Sequence, residues 1–222
     1  MIYFAKVRGT AILSAITALA CCLILVGNAI YFSGGEQPRF LMEKGDWTRN
    51  PWWLATFYFH IVGASVSLAA GTPLMFPAWT RKHPVWHRRL GYIYFHAVLW
   101  MAAPTGLVLA VTAKGGPLST AGFVLAGILW WQTTWAGHQA IQRRDLPAHV
   151  RAMVRSFAWA LSAPAFRVFQ SALYVGGLDD ESNYVASLWL SIAASVWLAE
   201  SCLIRIRRGN VKLAPSSAGV MS

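Results

Sequence analysis

Charge is scarce in this chain. Only 12% of its 222 residues are Asp, Glu, Lys or Arg, and eight of those are acidic, whereas a soluble domain carries about a quarter. Cysteine is scarce too. Cys21 and Cys22 are neighbours deep in one apolar run and Cys202 closes another, with no CxxC or CxxCH. That arrangement excludes a disulfide framework and covalent c-type haem attachment. There is also no HExxH, no phosphate-cradling glycine loop and no nucleophile elbow, so no catalytic residue and no metal is assigned. What is abundant is apolar mass: 56% hydrophobic and 14% aromatic, with twelve tryptophans. The net charge of +11 would suit nucleic acid on a soluble protein. Here the basic residues fill short loops between long apolar runs, so the expected contact is the lipid bilayer and not nucleic acid.

The apolar runs come in six. Thr10–Phe32 is uncharged over 23 residues, too long for a signal-peptide core and without a small-residue cleavage site, so it is expected to span. The second run, from Trp52 to Thr80, ends near Pro73 and Pro77. A basic turn at residues 81–89 leads into a third, Gly91–Ala113, and a Lys114-Gly-Gly-Pro loop into a fourth, about Pro117–Ile141. The fifth follows the basic stretch 143–155, and the sixth is Tyr184–Ile204. The N-terminal tail, the two basic stretches and the C-terminal segment together hold fourteen Lys or Arg, and the intervening loops hold four (residues 39, 44, 49 and 114). The positive-inside rule then sets both termini in the cytoplasm. The expectation is an all-α polytopic bundle of six transmembrane helices in a bacterial inner membrane, one domain over residues 1–212. The Ser-, Ala- and Gly-rich tail 213–222 is expected to be disordered.

The remaining cation, Arg167, stands inside the fifth apolar run, twelve residues from both Arg155 and Asp179. An arginine at mid-membrane costs at least a few kcal/mol unless it faces a partner. Gln170 and Ser171 share its helix face at i+3 and i+4. His60, eleven residues past Arg49, reaches a similar depth, while Glu200 lies five residues before Arg205, nearer the cytoplasmic edge. Two readings follow. In one, Arg167 reaches down to Glu200 and the pair fixes the packing of the last two spans. In the other, Arg167, His60, Gln170 and Glu200 bind a ligand: a quinone carbonyl, an anionic lipid or a small anion.

The histidines offer further candidates. His96 and His138 fall on consecutive antiparallel spans at nearly one level, the minimum for a bis-histidine haem b; the alternative is that both are interfacial. His87 and His149 each stand near the cytoplasmic start of a span, beside Arg88 and Arg151, with Arg155 further on. With Glu200 they could hold a metal, but capping helix starts and meeting lipid headgroups is the simpler role for this polar cluster.

The segments His87-Arg88-x-x-Gly91-x-x-Tyr94 and Arg144-Asp145-x-x-x-His149-x-x-x-Met153-Val154-Arg155-Ser156, with Arg167 and Ala199-Glu200, resemble the bacterial multi-pass family called domain of unknown function 2306. The resemblance runs from about Phe57 to Glu200. This chain departs from it at Arg89 and Ala152, where the family usually has tryptophan, and at Tyr92, where it often has arginine. The family carries no established activity. What the resemblance implies is a selection of residues: His60, His87, His149, Arg155, Arg167 and Glu200 match the pattern, and His96 and His138 do not, which counts against haem as a shared function. Three functions remain open: a redox or quinone-interacting module, a carrier or receptor for an anion or lipid, and an assembly subunit without turnover.

Overall fold

The computed structural model describes residues 8–34 and 38–211, which are helical with no strand among them. The tail at 213–222 lies outside the described residues. The order is α1 (Arg8–Ala29), α2 (Arg39–Glu43), α3 (Pro51–Leu74), α4 (Pro77–Lys82), α5 (Pro84–His96), a π turn (Ala97–Ala102), α6 (Ala103–Ala110), α7 (Gly116–Gln142), α8 (Leu146–Ala160), α9 (Ser162–Val175) and α10 (Asp180–Val211).

Proline and polar caps set the boundaries. Asn50 caps α3 by accepting from the amides of Trp52 at 3.0 Å and Trp53 at 3.3 Å, with Pro51 in the first turn, where a missing N–H costs nothing. Asp145 caps α8 through the Ala148 amide at 2.9 Å, and Asp179 caps α10 through that of Ser182 at 2.9 Å. The α9 end is a Schellman turn with Gly177 at φ +82, closed by Leu178 N–H to the Leu173 carbonyl at 3.1 Å. The α7 end uses the same turn with Arg144 at φ +60 in the position that usually takes glycine.

Among the described residues three helical stretches are long and apolar enough to cross a membrane: Pro51–Leu74, Pro84–Ala110 and Asp180–Arg207. The expected fourth run is one continuous helix, α7, whose glycines, threonines, glutamines and tryptophans dilute its hydropathy. The expected fifth is two helices. α8 already begins at Leu146, inside the basic stretch, and the chain breaks at Leu161 before α9, where Pro164 removes the N–H that would otherwise bond the Ala160 carbonyl.

Consecutive long helices alternate in direction, so one end of the bundle gathers the basic turns 81–89 and 143–145 and the other gathers the turns at 111–115 and 176–179. At that second end Lys114 joins Asp180, with Glu43 at 3.9 Å, and Lys44 donates to the Thr112 carbonyl. Burial pushes the Lys44 ammonium below the ordinary lysine range. The central core packs Leu68, Tyr94, Val98, Leu99 and Phe157 with Cys21. Close approach of α3 to the π turn depends on Gly63, where a Cβ would lie 2.5 Å from the Met101 Cβ and 2.8 Å from the Ala102 nitrogen.

Candidate functional site

Arg167 projects from the flank of α9, exposed and without an acidic partner among the described residues. Its Nη1 donates to the Gln170 Oε1 at 3.1 Å, and its guanidinium lies over the Phe166 ring at 5.5 Å. The backbone beneath is fixed: buried Asn183 of α10 donates to the Gln170 carbonyl at 3.1 Å and accepts from Ser187 at 2.9 Å. Phe166 is wedged edge-on against Tyr184 at 5.1 Å. Tyr31 and Tyr184 are both within electrostatic reach of the guanidinium. The result is an exposed cation oriented by one hydrogen bond and one ring, with donors left to spare. Such a fork suits a carboxylate or phosphate.

Glu200 does not answer Arg167. It accepts from Arg155 Nε and Nη2, both at 2.8 Å. The sequence arithmetic treats Arg155 as the membrane edge, whereas α8 starts nine residues earlier at Leu146, which carries Arg155 to the level of Glu200. With side chains 43% and 48% exposed, this pair contributes at most about 1 kcal/mol. It links α8 to α10 without governing the packing.

His60 is also separate from Arg167, because α3 and α9 do not touch. Its Nδ1 faces the Ala102 carbonyl at 2.9 Å, and Gly106 lies under the ring, where a Cβ would be 3.0 Å from Cε1. The cause is local backbone chemistry. Pro104 lacks an N–H and widens the preceding turn into a π turn, freeing carbonyls. Thr105 donates to the Met101 carbonyl, and His60 satisfies that of Ala102. The Nδ1 proton of His60 is therefore committed to the fold.

His96 and His138 do not fit a haem. His96 points outwards and is exposed, while His138 stacks on Phe95 at 4.2 Å between ring centroids and meets Gln142 through Nε2 at 2.8 Å. The Phe95 ring lies against both imidazoles, 5.2 Å from His96 and 4.2 Å from His138 between centroids, and Nε2 of His138 is engaged by Gln142.

His87 and His149 each stand on the first turns of a helix, within electrostatic reach of the other. His149 Nδ1 faces the Gly137 carbonyl at 2.8 Å, whereas the Nδ1 of His87 is buried with no hydrogen-bond partner. Arg88 beside His87 is exposed.

A fourth constellation is absent from the sequence reading. The Tyr94 hydroxyl meets Ser156 Oγ at 2.8 Å and accepts from Trp130 Nε1 at 3.1 Å, and Ser156 Oγ meets Thr134 at 2.7 Å. Tyr94, Ser156 and Thr134 are 1% exposed or less, so this hydroxyl cluster is shut off from any ligand and ties α5, α7 and α8 together. Tyr94 and Ser156 both stand in the segments that carry the family resemblance, and counting depth for hydroxyls as well as charges would have paired them.

A family model described as "Predicted membrane protein (DUF2306)" matches residues 57–203, and the chain belongs to this family. No curated protein and no solved structure matches the chain.

Proposed function

We propose that this member of the family is a bacterial inner-membrane protein of six crossings, with both termini cytoplasmic, that binds an anionic amphiphile through Arg167. What supports six crossings is that α1, α7 and the α8–α9 pair run between the same two ends as the three strongly apolar stretches, with lengths of about 33 Å or more at ~1.5 Å per residue. What supports the orientation is the concentration of Lys and Arg at one end.

One observation carries the binding role: an oriented guanidinium, exposed on α9 about two turns from the end opposite the basic turns, without an acidic partner among the described residues. In hydrocarbon such a charge recruits a counter-charge, and the nearest source is a lipid phosphate or carboxylate. A redox or quinone module is the second reading. A quinone carbonyl can accept from the same fork, although His60, turned to Ala102, no longer stands ready to share it.

The test is mass spectrometry of lipids and quinones that accompany the protein through detergent purification. The expected result is an anionic lipid retained by the wild type and reduced about tenfold or more in Arg167→Gln, since a hydrogen bond to a charged group contributes ~1.5–3 kcal/mol. Arg167→Lys should retain an intermediate amount, as a point charge without the fork. A quinone lost in the same variant would move the site to the second reading. If Arg167→Gln instead lowers the folded yield with nothing bound in either protein, the arginine serves assembly and the binding role fails.

A further inference from the structure

The paired histidines at the basic end are not explained by lipid binding at Arg167, and their geometry has a particular regularity. α5 and α8 both start at that end and run parallel, in the register fixed by the bond from Tyr94 to Ser156 at 2.8 Å. His87 lies seven residues before Tyr94, and His149 lies seven before Ser156. Seven residues are two helical turns to within about 20°, or ~10 Å of rise. Each histidine therefore sits on the same face of its helix as the residue that meets across the seam, two turns nearer the basic end, and the two imidazoles are within electrostatic reach of each other.

Their nitrogens are in complementary states. A carbonyl only accepts, so the 2.8 Å contact of His149 Nδ1 with Gly137 O places the proton on Nδ1 and leaves a lone pair on Nε2. This is the orientation that protein carbonyls impose on metal-binding imidazoles. On the other side, the buried His87 Nδ1 lacks any protein partner, an omission that costs free energy unless something fills it. Met153 follows His149 by one turn, and its sulfur packs over Gly137, where a Cβ would lie only 2.5 Å away. The layer between the imidazoles and the Tyr94 cluster thus contains a thioether.

We propose that His87 Nδ1 and His149 Nε2 bind monovalent copper, with the Met153 sulfur as a third, softer donor. The donor set is neutral and includes no carboxylate: Asp145, four residues before His149, is engaged as the cap of α8 by the Ala148 amide at 2.9 Å, and Glu200 is held by Arg155 at 2.8 Å. Among the described residues no three of His, Cys, Asp and Glu gather into a metal cluster, which removes the sets that zinc and ferrous iron prefer. The surroundings add the cations Arg88 and Arg151 and the positive starts of two helices. A divalent ion without a compensating carboxylate is disfavoured there. A singly charged ion that accepts two imidazoles and a thioether is disfavoured least.

The experiment is titration of the purified, reduced protein with copper(I) against a chromophoric copper(I) chelator. One ion should bind per chain. His87→Ala and His149→Ala should each weaken binding by about tenfold or more, and Met153→Leu by less. Histidine modification by diethylpyrocarbonate on the wild type gives a readout that does not depend on any variant folding: copper(I) should protect His87 and His149 and leave His83 reactive. Absence of copper(I) binding, binding retained in the double His87→Ala/His149→Ala variant, failure to protect the two histidines, or zinc(II) binding as tightly at the same residues would each overturn the assignment.

Discussion

At the level of single residues, the buried hydroxyls matter more than the charges for holding the bundle. Tyr94→Phe leaves Trp130 Nε1 without its acceptor while the bond between Ser156 and Thr134 persists. An orphaned buried donor costs about 1–3 kcal/mol, so the variant should melt several degrees lower in detergent, with a change in tryptophan emission. An unchanged melting temperature would mean that the cluster contributes nothing net. The Arg155 and Glu200 pair is the opposite case: visible, well formed and too exposed to matter much. The difficulty in reading this residue by residue is that the sequence shows charges plainly, whereas a tyrosine, a serine and a threonine in three apolar runs look like ordinary core or surface until their depths are compared. The six ionisable residues that carry the resemblance to the family were legible. Their partners were not, because a depth count needs a zero, and Arg155 was a false one.

At the level of the helix, caps and breaks decide behaviour. The Asp179 carboxylate accepts from the Ser182 amide and side chain, and these hydrogen bonds hold its pKa below the ordinary aspartate value of 3.8. The sign follows from linkage: a group whose folded pKa is depressed adds stability above its unfolded value, and that contribution is lost as pH falls through the folded one. Thermal stability should therefore decline as pH drops below about 3.8, and Asp179→Ala should lack that share of the decline while starting from a lower value at neutral pH. A wild type and variant with identical acid limbs would remove the cap from the account. Apolar runs foretold α7 to within one residue at each end, whereas α3 stops six residues before Thr80 and α10 extends four residues before Tyr184 and seven beyond Ile204. The division of the fifth run at Leu161 and the π turn were hidden, since each comes from one proline acting on the carbonyls of the preceding turn, and the apolar pattern continues through both.

At the scale of the whole molecule, cysteine accessibility tests how the bundle lies in the bilayer. In a variant with Cys21, Cys22 and Cys202 replaced, single cysteines at Ala78 and Gln142 should react with an impermeant maleimide only from the cytoplasmic side, and those at Gly116 and Leu178 only from the opposite side. Reaction of both sets from one side would abolish the six-crossing topology. The class of the fold was legible here from composition alone. Its crossing number was harder, because α7 mixes tryptophan and threonine with its apolar residues and α8 carries its arginines into the bundle.

The π turn at residues 97–102 also has a consequence for anyone comparing this chain with its relatives. Such a turn takes up one residue more than an α-helix of the same height, so α6 is out of phase with α5 by about 100°. A helical wheel begun at Pro84 and carried on to Ala110 would assign lipid-facing and core-facing positions wrongly for its whole second half. The stretch is written in two reading frames, and a relative shorter by one residue there would run as a regular α-helix of the same height and keep every later side chain on its face.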